Sequence, residues 1–198
     1  MRAFLVLLIA APLGFLYLDY RDEAGNEARL GEIASVIAGR DVEVRCPGVW
    51  ARLAEISPNA GSVYFSSDGR PADYTDLNGE TCAALDDFAE NDPRAKLQCL
   101  VAALPCSADV IEIVRAVHVL AHESFHLAGV RNEAAADCYG LQRVAWVAHR
   151  LGADPKEARA VAVLDLEDRA RGARPDYRSA ECRDGGELDL NLDGSPWH

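Results

Sequence analysis

Apolar and polar positions follow two different periods along this chain, and the change from one to the other divides it. Residues 25–39 carry Leu30, Ile33, Val36 and Ile37 at helical spacing and stop at Gly39. From Asp41 to Cys46, Val42 and Val44 alternate with charged residues, which is the period of a strand. Ser62-Val63-Tyr64-Phe65 and Ala72-Asp73-Tyr74-Thr75 flank Asp68-Gly69-Arg70-Pro71, so a hairpin is expected there. Beyond it the helical period takes over. Segments 79–89 and 93–103 form two helices broken at Asn91-Asp92-Pro93. Ser107 offers an N-cap to a long helix over 108–128, with Val110, Ile113, Val114, Val117, Leu120, Ala121 and Phe125 on its apolar side. Gly129 stops that helix, Asn132 caps the next, which runs to about Arg150, and 155–171 make a further one. The tail from Gly172 is acidic, rich in Gly and Pro, and poor in core-forming residues. The pattern predicts one α+β domain over 24–198, a short N-terminal hairpin and sheet region followed by a mainly helical half.

Composition changes this picture in two places. The formal charge of −12 is spread along the chain with no clustered basic surface, which excludes nucleic acid as a partner. At the N-terminus, Met1-Arg2 precedes an apolar run from Ala3 to Leu18, and Asp19, Asp22 and Glu23 close it. Positive before and acidic after predicts export, with residues 1–23 as a signal anchor or a cleaved signal peptide and the domain membrane-anchored outside the cytoplasm or secreted. Six cysteines, an even number with no C-x-x-C pair, predict disulfides and not a cysteine metal site. A bridge between Cys99 and Cys106 would close a local bend, and one between Cys46 and Cys82 would tie a strand to a helix.

The chemistry is concentrated in the long helix. His122-Glu123-Ser124-Phe125-His126 places two imidazoles one helical turn apart, on one face, where they can meet one metal ion. Glu123 sits beside that face, placed to take a proton from water at the open metal position. Gly129 and Asn132 end one helix and begin another, folding Glu133 back toward the pair as a third ligand. Asp137, one turn further on, is placed to accept the free ring N–H of a metal-bound histidine. The expected site is therefore Zn2+ held by His122, His126 and Glu133, with Glu123 as the base.

His-Glu-Ser-Phe-His followed by Asn132-Glu133-Ala134-Ala135-Ala136-Asp137 resembles the paired motifs of gluzincin metallopeptidases, the thermolysin-like group, whose second motif reads N-E-x-x-x-D. Glu133 to Cys138 also resembles the E-x-x-A-D-C stretch of bacterial neutral zinc metallopeptidases. The resemblance covers about residues 118–141 and implies zinc-dependent hydrolysis of a peptide or protein substrate. It implies His122, His126 and Glu133 as ligands, Glu123 as general base and Asp137 as an orienting carboxylate. Two features depart from the family: the gap between motifs is much shorter, and no downstream His or Tyr presents itself to stabilise an oxyanion. Tyr139 lies on the far side of its helix from Asp137, and Arg143 and His149 have no better claim.

Other residues read more plainly. His118 is eight positions from His126, ~12 Å along a straight helix, so it belongs at the core edge and not in the same ion's shell. Cys138 is expected to be half of a disulfide. Asp189-Leu190-Asn191-Leu192-Asp193-Gly194 matches the first half of a calcium loop, but the chain ends before the required twelfth-position Glu. The hairpin at 62–75 would offer an edge strand to an extended substrate. The alternative to a peptidase is a non-catalytic zinc- and disulfide-stabilised domain with an interaction role.

Overall fold

A computed structural model describes residues 26–48, 59–90, 93–102 and 104–197. Six helices and a small sheet lie among them: α1 (26–38), β1 (Glu43–Arg45), β2 (Gly61–Ser62), β3 (Tyr74–Leu77), α2 (Gly79–Glu90), α3 (Pro93–Val101), α4 (Ala108–Leu127), α5 (Glu133–Arg150) and α6 (Pro155–Gly172). A single 3-10 turn, Pro175–Tyr177, follows. The α+β expectation holds, with the sheet early and the helical half late.

The long helix α4 is the axis of the molecule. Ile113, Val114, Val117 and Leu120 are at most 1% exposed, because α2, α5, α6 and the sheet cover it on several sides. Leu85 and Phe88 of α2, Val144 and Val147 of α5, and Val161 and Ala162 of α6 complete the same core. Each fully buried aliphatic or aromatic side chain stabilises by roughly 1.5–3 kcal/mol, so this shared core fixes how α4 and α5 sit against each other. Gly140 shows how closely. A Cβ there would lie 3.1 Å from the backbone N of His122, so only glycine lets α5 pass the metal-motif turn of α4 without displacement.

The sheet has the order β1-β3-β2, with β1 parallel and β2 antiparallel to the central strand. The hairpin expected at 62–65 and 72–75 is present in outline but displaced. Paired strand runs only over Gly61–Ser62 and Tyr74–Leu77. Toward the turn, one further bridge joins Phe65 to Pro71. Between that bridge and the paired strands the returning arm holds two more residues than the outgoing arm, so the pairing lapses there. Asp73, placed in the returning arm of the hairpin, pairs through its carboxylate with Arg40, while its carbonyl accepts from the Glu43 N–H at 2.8 Å. Arg40 also donates to the Leu127 carbonyl at 3.1 Å, capping the C-terminus of α4.

Three disulfides are formed. Cys46–Cys82 ties the end of β1 to α2, Cys99–Cys106 closes the bend between α3 and α4, and Cys138–Cys182 fastens the tail to α5. The tail is held more firmly than its composition suggests. Gln142 donates to the Leu188 carbonyl at 2.8 Å and accepts from the Leu190 N–H at 2.7 Å, and Ser195 is fully buried. Asp189 spends its carboxylate on chain neighbours, accepting from the N–H groups of Gly185 and Asn191, both at 2.9 Å.

The expected membrane-anchored placement is corrected. No helix among the described residues is long and apolar enough to cross a membrane. The longest, α4, carries Asp109, Glu112, Arg115, three histidines and Glu123. The run at 1–23 that prompted the expectation lies outside the described residues.

Candidate metal centre

Local chain chemistry brings the motifs together. At the end of α4, Gly129 adopts φ +98° and its N–H reaches the His126 carbonyl at 2.9 Å, while Val130 reaches that of Phe125 at 3.0 Å. This left-handed cap reverses the chain within one turn. Asn132 then accepts from the Ala135 N–H at 2.9 Å and opens α5. Glu133, the first residue of that helix, is thereby set over the histidine pair.

Three donor atoms converge there. His122 Nε2 and His126 Nε2 lie 2.9 Å apart, and Glu133 Oε2 lies 3.3 Å from the first and 3.4 Å from the second. Ligands bound at ~2.0–2.1 Å with tetrahedral angles are about 3.3–3.4 Å apart, so two of the three edges already have the spacing of a metal shell. The protonation pattern agrees. His126 Nδ1 donates to the Val130 carbonyl at 2.6 Å, which leaves Nε2 as the lone-pair nitrogen facing the cluster. Burial pushes His122 down to about 4, and its hydrogen bond to Glu133 is the largest cause holding that carboxylate down at about 2. Neutral imidazoles and an ionised carboxylate are the forms that bind a cation. His122, His126 and Glu133 can hold a metal ion.

A second group, His118, His122 and Asp137, also brings donor atoms within reach of one another. It is already served by a cation. Arg169 of α6 clasps Asp137 with both carboxylate oxygens engaged, the Nε bond being 2.8 Å. His118 is buried, as its position in the helix suggested, and its Nδ1 donates to Asp165 at 2.6 Å. The role expected for Asp137 is met only by proximity: its Oδ1 lies 3.9 Å from His122 Nδ1, beyond hydrogen-bond range, and 3.4 Å from His118 Nε2.

Glu123 is placed differently from the ligands. Its side chain lies against β2, where a Cβ on Gly61 would come within 2.7 Å of its Cγ. Its Oε2 is buried without a hydrogen-bond partner. Burial first, then the charge of Glu133, pushes this carboxyl up to about 8. A cation between His122 and His126 would oppose both effects by attraction and favour the ionised form.

His122, Glu123, His126 and Glu133 line one cleft of about 580 Å³ together with His118, Asp137, residues 59–63, Phe65, Arg174 and Tyr177. Tyr177 is the residue that sequence reasoning missed. It stacks on His122 at 5.7 Å between ring centroids, and the Arg174 guanidinium lies over its ring at 4.6 Å. It comes from the tail dismissed as poor in structure, and the only sequence signal was Cys182 nearby, able to fasten that tail somewhere. Tyr139 packs on Phe125 instead, at 5.3 Å between centroids, as its helix position implied.

Comparison with protein-family models, curated proteins and solved structures finds no match. The site therefore stands on its own geometry and on the two short motifs.

Proposed function

We propose that this protein is a zinc-dependent metallopeptidase of gluzincin type. The observation that carries the reading is the meeting of His122, His126 and Glu133 donor atoms beside a buried, unpartnered oxygen of Glu123 in an open cleft. Three protein ligands with an open side suit a catalytic zinc, whereas structural zinc sites are closed by four. A zinc ion held there supplies Lewis acidity and brings the pKa of water toward ~7.

The chain's own residues supply the rest. Glu123, which lines the cleft, takes a proton from the attacking water and returns it to the leaving nitrogen. Tyr177 offers a phenol on the open side of the cleft, a hydrogen-bond donor toward charge developing on the carbonyl oxygen. Strand β2 is at the edge of the sheet and lines the cleft, so an extended peptide can lie along it with the scissile bond over the histidines. Gly61 leaves the space that Glu123 fills.

Replacing Glu123 by Gln tests the assignment. The variant should bind zinc as the parent does and hydrolyse peptides at least 10²-fold more slowly, as expected for loss of a general base. Full hydrolysis by zinc-loaded Glu123→Gln would remove Glu123 from the mechanism.

A further inference from the structure

The chain carries 32 acidic against 20 basic residues, yet the metal cleft is flanked by arginines. Two of them occupy equivalent places on opposite sides. The guanidinium of Arg131 lies over the Phe65 ring at 5.5 Å, and Phe65 meets His126 edge-on at 6.1 Å. The guanidinium of Arg174 lies over the Tyr177 ring at 4.6 Å, and Tyr177 stacks on His122 at 5.7 Å. Each imidazole of the candidate site is thus backed by an aromatic ring and each ring by an arginine.

These arginines are not committed to the fold. Arg131 has no ion pair among the described residues and is exposed. Arg174 has one, to Asp176 at 3.7 Å with both side chains more than 60% exposed, a pairing of little strength in water. The third arginine of the cleft, Arg169, is engaged by Asp137. Of the carboxylates lining the cleft, Glu133 faces the histidines, Asp137 faces Arg169, and Glu123 is packed against Gly61. None faces Arg131. Stacking on a ring holds a guanidinium in place while leaving its N–H edge open to a carboxylate.

We propose that the cleft selects peptides bearing Asp or Glu side chains on both sides of the position held over His122 and His126, with Arg131 and Arg174 as the residues that recognise them. The inference rests on the metallopeptidase reading for its peptide substrate. The chain's net charge of −12 disfavours an acidic peptide on average, so the two arginines give direction as well as affinity.

The test measures binding, so that it does not depend on turnover. Full-length protein carrying Glu123→Gln is titrated into two fluorescein-labelled, end-blocked peptide pools, one with Asp and Glu flanking a central Ala-Ala and the other with Asn and Gln in their place. Zinc content is measured on the same samples and reports separately on the metal. The acidic pool should bind about five-fold tighter at low salt, and the advantage should shrink as salt rises. Adding Arg131→Gln or Arg174→Gln should each reduce that advantage by half or more, and Arg131→Lys should retain most of it. Equal affinity for the two pools, no binding of the acidic pool, or a preference that survives both glutamine variants would overturn the inference. Binding that requires a free peptide C-terminus in place of acidic side chains would overturn it as well. A protein without zinc that still prefers the acidic pool through these arginines would support this inference while contradicting the metallopeptidase reading.

Discussion

Gly61 and Glu123 carry the most exacting contact at the scale of single residues. The glycine faces a buried carboxyl group whose Cγ would sit 2.7 Å from any added Cβ, a separation that real side chains do not tolerate. Gly61→Ala must therefore displace Glu123, which is 5% exposed and has little room to move. The atoms nearest an added Cβ all belong to Glu123, and none to His122, His126 or Glu133, so the change acts on the carboxyl group first. The expected outcome is a protein that binds zinc and melts within a few degrees of the parent but hydrolyses peptides at least ten-fold more slowly, the size of effect that misplacing a reacting group produces. Kinetics and zinc analysis on the same preparation check it. Unaltered hydrolysis would show that the position of Glu123 against β2 does not matter.

Helix α5 works as an element by holding several parts of the site at once. Its first residue is Glu133, its second turn presents Asp137 to Arg169, Gly140 admits α4, and Cys138 and Gln142 bind the tail that delivers Tyr177. The Cys138–Cys182 bridge closes a span of 44 residues, for which chain-entropy reasoning gives about 4 kcal/mol, with measured losses for native bridges of ~2–5 kcal/mol. Replacing both cysteines by Ala should lower stability to denaturant by that order. It should also raise KM or lower kcat through a less fixed Tyr177, and zinc should remain because no ligand comes from the tail. Denaturant unfolding and zinc analysis separate the two effects, and loss of zinc would mean that the tail supports the ligands directly.

The same helix shows what local sequence can and cannot convey. Glu133 was legible because a stop at Gly129, a cap at Asn132 and a one-turn histidine pair are all local signals, and together they fix where the new helix begins. The Cys99–Cys106 disulfide was legible for a similar reason, since it spans a short bend, whereas Cys46–Cys82 crosses 36 residues and was one pairing among several open ones. Asp137 was placed on the correct face, but its partner Arg169 is 32 residues away on α6, and nothing local announces that pairing. Tyr177 was invisible because it reaches the cleft through a disulfide and the Gln142 hydrogen bonds, which are long-range contacts. The hairpin was read from two short runs flanking the turn segment Asp68 to Pro71, and that pattern could not reveal the unequal arms that displace the pairing.

At the scale of the whole molecule, one central helix joins the core to the chemistry. The N-terminal two-thirds of α4 is buried in the hydrophobic core, and its last two turns carry His122, Glu123 and His126 into the cleft. The metal-binding atoms come from two helices whose separation is set by that core and by Gly140, so the site is built by folding and does not depend on mobile loops. A metal ion joining α4 to α5 would stabilise the folded chain by mass action, because the unfolded chain does not hold the three donors together.

Zinc per chain, measured by elemental analysis on the oxidised protein beside Glu133→Ala, tests the central claim most directly. The proposed function predicts about one zinc ion in the parent and clear loss in the variant, with the melting temperature of the parent falling on chelation and that of the variant unmoved. A well-folded parent that takes up no zinc, or a Glu133→Ala variant that binds it as well as the parent, would contradict the three-ligand centre and with it the metallopeptidase reading.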